Sequence, residues 1–161
     1  LDVVSPDAVK IFDVNLRAPF IDRDILDAGM CKATVIKMNH DELPVIAGLF
    51  GWTCSPEDAM AQLLEAYPRV RHLVVTKADE GAWWRTRDKL YRQPPPKPVK
   101  MVDTIGAGDS VTAAVMMGLL KNWDVRAILK AAMDIASYVC SCRGGTQELP
   151  DGLKKPLLLQ L

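Results

Sequence analysis

Asp103-Thr104-Ile105-Gly106-Ala107-Gly108-Asp109 sets a glycine-rich turn directly before an apolar periodic segment and ends on a carboxylate. Glycines let the backbone approach an oxygen-rich ligand, and the free N–H groups of a helix start favour anionic oxygens. A carboxylate inside such an anion site is unfavourable unless it has a task there. The natural task is to accept a proton from a hydroxyl beside a phosphate. The heptad therefore predicts a phosphoryl-transfer site, with Asp109 as general base and the amides around Gly106, Ala107 and Gly108 as an anion hole. The structural alternative is an ordinary strand–turn–helix corner in which Asp109 only complements the helix dipole. Two familiar phosphate loops are excluded. No G-x-x-x-x-G-K-[ST] occurs, and Val111 stands where G-x-G-x-x-G needs its third glycine.

Three further groups have spacings that could serve the same chemistry. Asn39-x-x-Glu42 follows a strand-like run and opens a helix. It reads as a capping box, with Asn39 accepting from the N3 amide and Glu42 reaching back. It also reads as an amide and a carboxylate suited to Mg²⁺, which favours one or two carboxylates plus phosphate oxygens. The two roles can coexist. Asp13-x-Asn15-x-Arg17 lies at the C-terminal end of the first strand, where open α/β sheets place ligands, and the Arg17 fork suits phosphate or carboxylate oxygens. A solvated loop is the alternative there. Thr76 to Gly81 reads either as a turn between strands or as a loop lining a ligand.

Apolar strand-like runs alternate with helical periods, predicting an α/β layer fold around a mostly parallel sheet. Strands are expected at 9–14, 33–38, 71–76 and 98–102, and helices at 22–30, 40–50, 56–67, 108–121 and 124–142. A hairpin is expected from 82–85 and 89–92 around Thr86-Arg87-Asp88. Ser55-Pro56 reads as an N-cap followed by proline at the first helical position. In the helix after the heptad, Val111, Val115, Met116 and Leu119 are expected on one face. Pro94-Pro95-Pro96-Lys97-Pro98 serves as a stiff connector. The segment from Pro150 fits no single assignment, and no internal repeat is evident.

The heptad resembles the signature of the ribokinase (PfkB) family of carbohydrate kinases. Asp13-Val14-Asn15-Leu16-Arg17, Asn39-His40-Asp41-Glu42, Thr76 to Gly81 and the closing helix to Arg143-Gly144-Gly145 agree with it in order and approximate spacing. The resemblance implies a three-layer ribokinase-like fold and ATP-dependent phosphoryl transfer to a sugar hydroxyl. It implies that Asn39, Thr76, Gly81 and Thr104 bind nucleotide or phosphate, and that Glu42 positions Mg²⁺ through water. It places Asn15 and Arg17 near the transferred phosphate or the substrate. It also implies a monovalent cation, K⁺, near Asp103, for which a turn-forming role is the alternative. D-x-N-x-R resembles the version in fructokinases and 2-keto-3-deoxygluconate kinases, which points to a ketose or keto-sugar acid. Two positions depart from the pattern. Ala78 replaces the first glycine of T-x-G-x-x-G, so a required positive φ or close ATP approach would be hindered. Met133 and Asp134 stand where an asparagine often lies beside the base. Family members are considerably longer, and their N-terminal half supplies most of the sugar pocket and a lid through which dimers often pair. Residues 1–161, which begin at Leu1 rather than Met, are therefore expected to be a single partial domain, the ATP-binding and catalytic C-terminal half, with a homodimer expected for the complete protein. The competing reading is a catalytically incomplete nucleotide-binding remnant.

Composition fits this picture. The 161 residues are 49% hydrophobic and 25% charged, with twenty basic and twenty acidic side chains. Zero formal charge gives no electrostatic case for nucleic acid or a membrane surface as partner. No apolar run approaches a transmembrane span, and no signal-peptide pattern opens the chain. Cys31, Cys54, Cys140 and Cys142 have neither metal-ligand spacing nor a disulfide framework, so a reducing, cytoplasmic setting is expected. Cys140 and Cys142 read as apolar filling near a helix end. His40 reads as a helix-start residue and His72 as a strand-edge residue.

Overall fold

The structure is a computed structural model that describes residues 4–5, 7–52, 55–96 and 100–158. It is a mixed α/β fold with a five-stranded sheet in the order β1-β2-β3-β4-β5 and flanking helices. The strands are β1 (Ile11–Asp13), β2 (Val35–Asn39), β3 (His72–Thr76), β4 (Ala82–Arg85) and β5 (Leu90–Gln93). The helices are α1 (Arg23–Lys32), α2 (Glu42–Phe50), α3 (Pro56–Ala66), α4 (Ala107–Leu120), α5 (Val125–Cys140) and α6 (Asp151–Leu158). By its internal contacts the chain divides into two compact units, Leu1–Ala78 with Trp83–Leu90, and Asp79–Ala82 with Tyr91–Leu161.

In the first unit, β1 pairs parallel with β2 and β2 with β3, so Asp13 lies opposite Lys37, and Asn39 opposite Thr76. Strand alternation sends Ile36, Met38, Leu73 and Val75 into a core with Leu26 and Met30 of α1, Leu43 and Ile46 of α2, and Met60 and Leu63 of α3. Fully burying each such side chain contributes roughly 1.5–3 kcal/mol. Helix starts follow local chemistry. Asp22 caps α1, its Oδ1 accepting from Asp24 N at 2.8 Å and Ile25 N at 3.0 Å. Ser55 Oγ accepts from Asp58 N at 3.1 Å at the head of α3, with Pro56 in the first turn as expected. Cys54, beside this cap, lies outside the described residues. The β4–β5 turn closes where Thr86 N donates to Lys89 O at 2.9 Å and Lys89 N donates to Thr86 Oγ1 at 3.2 Å. His72 opens β3 as an edge residue, and its Nδ1 accepts from the indole N–H of fully buried Trp84 at 3.2 Å.

In the second unit, α4 and α5 pack together through Val111, Ala114, Val115 and Gly118 on one side and Ile128, Leu129, Ala132 and Met133 on the other. The expected α4 face is corrected here. Met116 is 43% exposed, and Ala114 and Gly118 share the buried stripe instead, with Gly118 lying against Ile128. The period was right, but the closest approach uses the smallest side chains, which carry little apolar signal. Asp124 caps α5 by accepting from Arg126 N at 2.9 Å. The expected strand at 98–102 does not form over its described part. Residues 100–102 are irregular, because Val102 N and Asp103 N donate to Cys140 O at the end of α5, at 2.8 Å and 3.2 Å. Pro98 and Val99 lie outside the described residues, as does Lys97 of the proline connector. The segment after Pro150 is helical, as α6. Among the described residues no helix is long and apolar enough to cross a membrane. Cys31, Cys140 and Cys142 are free thiols.

Candidate functional site

The heptad folds into a tight corner at the head of α4. Gly106 sits at φ +80°, and a Cβ there would lie 2.9 Å from both Cα and O of Gly145. Only glycine fits: the backbone is left-handed and another backbone occupies the side-chain space. The Arg143-Gly144-Gly145 segment is thus the physical partner of the heptad. Asp103 ties the two together. Its Oδ1 accepts from Ile105 N and its Oδ2 from Gly144 N, each at 3.0 Å. The Ile105 amide first, and then that of Gly144, hold the Asp103 carboxyl below its usual range. The turn-forming role is realised by this pair of bonds.

Ala107 N donates to Thr104 O at 3.2 Å and Ser110 N to Gly106 O at 2.9 Å, so the corner passes into helix without a break. The following amides, of Gly108 and Asp109, belong to the first turn of α4, where no intrahelical acceptor exists. Thr104 and the Asp109 side chain are exposed at this corner. First-turn amides favour an anion, and the exposed carboxylate beside them can take a proton from a hydroxyl. Cys140, whose carbonyl receives the loop, has its thiol pushed up by burial and then by the Asp103 charge. Met133 is buried in the α4–α5 contact, and Asp134 pairs with Lys130 at 2.7 Å.

In the first unit the C-terminal ends of β1 and β2 gather a second group. Asn39 Oδ1 accepts from Asp41 N and Glu42 N, both at 2.9 Å, and Glu42 Oε2 accepts from Asn39 N at 2.8 Å. The capping box is formed. His40, placed at the helix start by sequence, precedes it in a turn whose N–H donates to Thr76 O at 2.9 Å. Glu42 does more than cap. Its Oε1 accepts from Leu16 N at 2.8 Å, and the residue is only 8% exposed. One carboxylate therefore fixes the loop that carries Asn15 and Arg17. Asn15 stands at φ +42°, and both side chains are exposed. Asp13, the first residue of that motif, instead turns to Lys37 Nζ, 3.2 Å from each carboxylate oxygen. Lys37 was not singled out by sequence. Its signal was a lone cation inside the otherwise apolar run Val35-Ile36-Lys37-Met38.

Thr76 closes β3, its Oγ1 3.5 Å from Met38 O. Two residues on, Ala78 adopts φ +47°. The left-handed conformation of the T-x-G-x-x-G pattern is therefore kept despite the alanine, at a strain of about 1 kcal/mol relative to glycine. Gly81 has no such latitude: at φ +91°, an added Cβ would lie 2.1 Å from Gln93 O.

These residues fit phosphate and Mg²⁺ in chemical type. The α4 corner offers amides to phosphate oxygens. Each Glu42 oxygen accepts one backbone N–H and keeps a lone pair for a metal-bound water. Among the described residues no group of three metal-ligating side chains gathers.

Comparison with known proteins places the chain in a family. A family model described as pfkB family carbohydrate kinase matches residues 4–152. The chain is 32% identical over 150 residues to 1-phosphofructokinase of Escherichia coli K12, covering 86% of this chain and 46% of the relative. It is 29% identical over 116 residues to 5-dehydro-2-deoxygluconokinase of Clostridium perfringens, covering 68% and 33%. Among solved structures, Methanocaldococcus jannaschii nucleoside kinase, a member of the ribokinase family, superposes with a TM-score of 0.77 at 27% identity, covering 91% of this chain and 47% of that one. The chain thus spans less than half the length of each of these relatives.

Proposed function

The chain belongs to the pfkB family of carbohydrate kinases, and from that premise we propose that the protein it forms transfers the γ-phosphoryl group of ATP to a sugar hydroxyl. The observation that supports this best is the exposed Asp109 carboxylate in the first turn of α4, next to a glycine corner that admits no side chain. The acceptor hydroxyl oxygen attacks the γ-phosphorus. A new O–P bond forms, the bond to the β,γ-bridging oxygen breaks, and ADP leaves. Asp109 takes the hydroxyl proton, and the amides of Gly106 and Gly108, with that of Ala107 already donating to Thr104 O, stabilise charge on the transferred group. Asn39 and Glu42 would hold Mg²⁺ and its waters, and Thr76 and Gly81 would line the nucleotide. Bound Mg²⁺ supplies charge neutralisation of the phosphate oxygens. A K⁺ ion near Asp103 would share that residue with two backbone amides.

The acceptor proposed is a ketose or keto-sugar acid. Arg17 is exposed on the loop that Glu42 fixes, and its fork matches a carboxylate or phosphate on the substrate. The relatives' names, a phosphofructokinase and a dehydrodeoxygluconokinase, are of the same chemical kind. The test is Asp109→Asn in the full-length protein, assayed by coupled ADP release. Turnover should fall about 10²- to 10⁴-fold while ATP–Mg²⁺ binding persists. Near-normal turnover would remove Asp109 from the reaction. The second reading, a nucleotide-binding piece without activity of its own, is favoured by the share of each relative that the chain spans. Thermal stabilisation of the 161-residue chain by ATP–Mg²⁺ without turnover on a sugar panel would support it.

A further inference from the structure

Among the described residues only two charged side chains are buried, those of Lys37 in β2 and Glu42 at the head of α2. Both hold the same stretch of chain, the loop that leaves β1. Lys37 Nζ lies 3.2 Å from each oxygen of Asp13, and the Lys37 carbonyl accepts from Val14 N at 3.0 Å. Glu42 Oε1 takes the N–H of Leu16. Val14 belongs to the core, and Leu16 packs against it. The loop is thus tied down at positions 13, 14 and 16, and Asn15 and Arg17, which alternate with the inward residues, are exposed. A loop ordered before binding places its outward side chains without drawing on the energy of the ligand.

Stability alone does not account for the lysine. Withdrawing two charges from water costs about as much as their attraction returns, and a well-packed apolar pair of similar volume is often as stable. What the ion pair has and an apolar pair lacks is direction, because the ammonium fixes both oxygens of Asp13. Lys37 is also too enclosed to touch a solute, with its side chain 9% exposed and its ammonium turned to Asp13. We propose that Lys37 is a positioning residue for the acceptor: through Asp13 it fixes the start of the loop from which Asn15 and Arg17 hold the sugar. The proposal rests on the kinase reading and separates the tasks of the two buried charges. Glu42 bonds to both Asn39 and Leu16, so its loss disturbs the nucleotide side and the acceptor side together. The Lys37 ammonium bonds to the acceptor loop and to no residue of the Asn39–Glu42 box, so its loss is felt on the acceptor side.

The experiment measures steady-state kinetics of the full-length protein by coupled ADP release, with D-fructose, D-fructose 1-phosphate and 2-keto-3-deoxygluconate as acceptors. Lys37→Met should raise KM for the acceptor that wild type uses by about tenfold or more. The kcat and the KM for ATP–Mg²⁺ should stay within about twofold, because only the holding of the acceptor is lost. Lys37→Arg, which keeps a cation for Asp13, should recover most of the acceptor KM. Asp13→Leu/Lys37→Met, an apolar pair in the same place, should regain the wild-type melting temperature and still show the raised KM. A pair with a purely structural task would instead return KM together with stability. That return would overturn the proposal, as would an unchanged acceptor KM in folded Lys37→Met or a parallel rise in the KM for ATP–Mg²⁺. Each of these leaves the kinase reading intact. Should Lys37→Met not fold, the double variant decides by the same comparison, and failure of all three variants to fold would make the pair an element of stability only. A wild type that phosphorylates none of the acceptors removes the kinase reading itself, and this proposal with it.

Discussion

Gly106→Ala tests the corner on which the proposed chemistry rests. Two costs act together at this position. The φ of +80° places an L side chain in the left-handed region, costing about 1–2 kcal/mol. The new Cβ would also stand 2.9 Å from Cα and O of Gly145, which are backbone atoms that cannot swing aside as a side-chain tip would. Overpacking against fixed atoms costs about 1–3 kcal/mol, so the sum is roughly 2–5 kcal/mol. Urea unfolding of wild type and variant, followed by far-UV circular dichroism, reads this directly. With a slope of about 1–3 kcal/mol/M the midpoint should drop by about 0.7 M or more. Gly48→Ala is the matched control. It lies in α2 with open space around the new methyl group, and should stabilise the protein by about 0.5–1 kcal/mol. If Gly106→Ala unfolds within about 0.5 kcal/mol of wild type, a margin typical of inconsequential surface changes, the steric argument is wrong and the corner is looser than described.

Three other perturbations follow from local geometry. Ala78→Gly should stabilise by about 0.5–1 kcal/mol, because it relieves a left-handed alanine, and a lower denaturation midpoint would contradict this. Glu42→Ala strips the acceptor from both Leu16 N and Asn39 N, and should cost about 2–4 kcal/mol by the same urea assay. Hydrogen exchange at those two amides should rise in step. His72 is held neutral by burial first and by neighbouring Arg71 second, both of which lower its pKa from 6.5. The unfolded chain then binds a proton more readily than the folded one, so stability should fall as pH drops through and below about 6.5. His72→Asn should flatten that part of a melting-temperature profile, whereas an unchanged slope would place the titrating group elsewhere.

Helices could be read from sequence because burial imposes period on apolar residues, inner strands because burial on both faces leaves an unbroken apolar run such as Leu73-Val74-Val75, and starts because caps such as Ser55 act locally. The corner at Gly106 was legible for a similar reason, since few residue types permit that backbone. Other features rest on partners far along the chain. Nothing local to Glu42 reveals that Leu16, 26 residues earlier, donates to it. Val102 looks like a strand residue, yet its amide serves the carbonyl of Cys140. Ala78 was expected to hinder a turn, but the surrounding strands fix that turn strongly enough to force the alanine into it. The Asn39–Glu42 box shows the converse: a structural motif read correctly can also carry a second contact that sequence does not announce.

The Asp13–Lys37 pair has a consequence for how the sheet assembles. β1 contributes only three residues to pairing, too few for an apolar pattern to fix alignment with β2 by itself. Sliding β1 by one residue would point Asp13 at the oily layer that receives Ile36 and Met38, and would strand a shielded ammonium with no counter-ion. Misaligned versions of the sheet are thereby penalised electrostatically, and a short edge finds its one permitted seat by charge rather than by length.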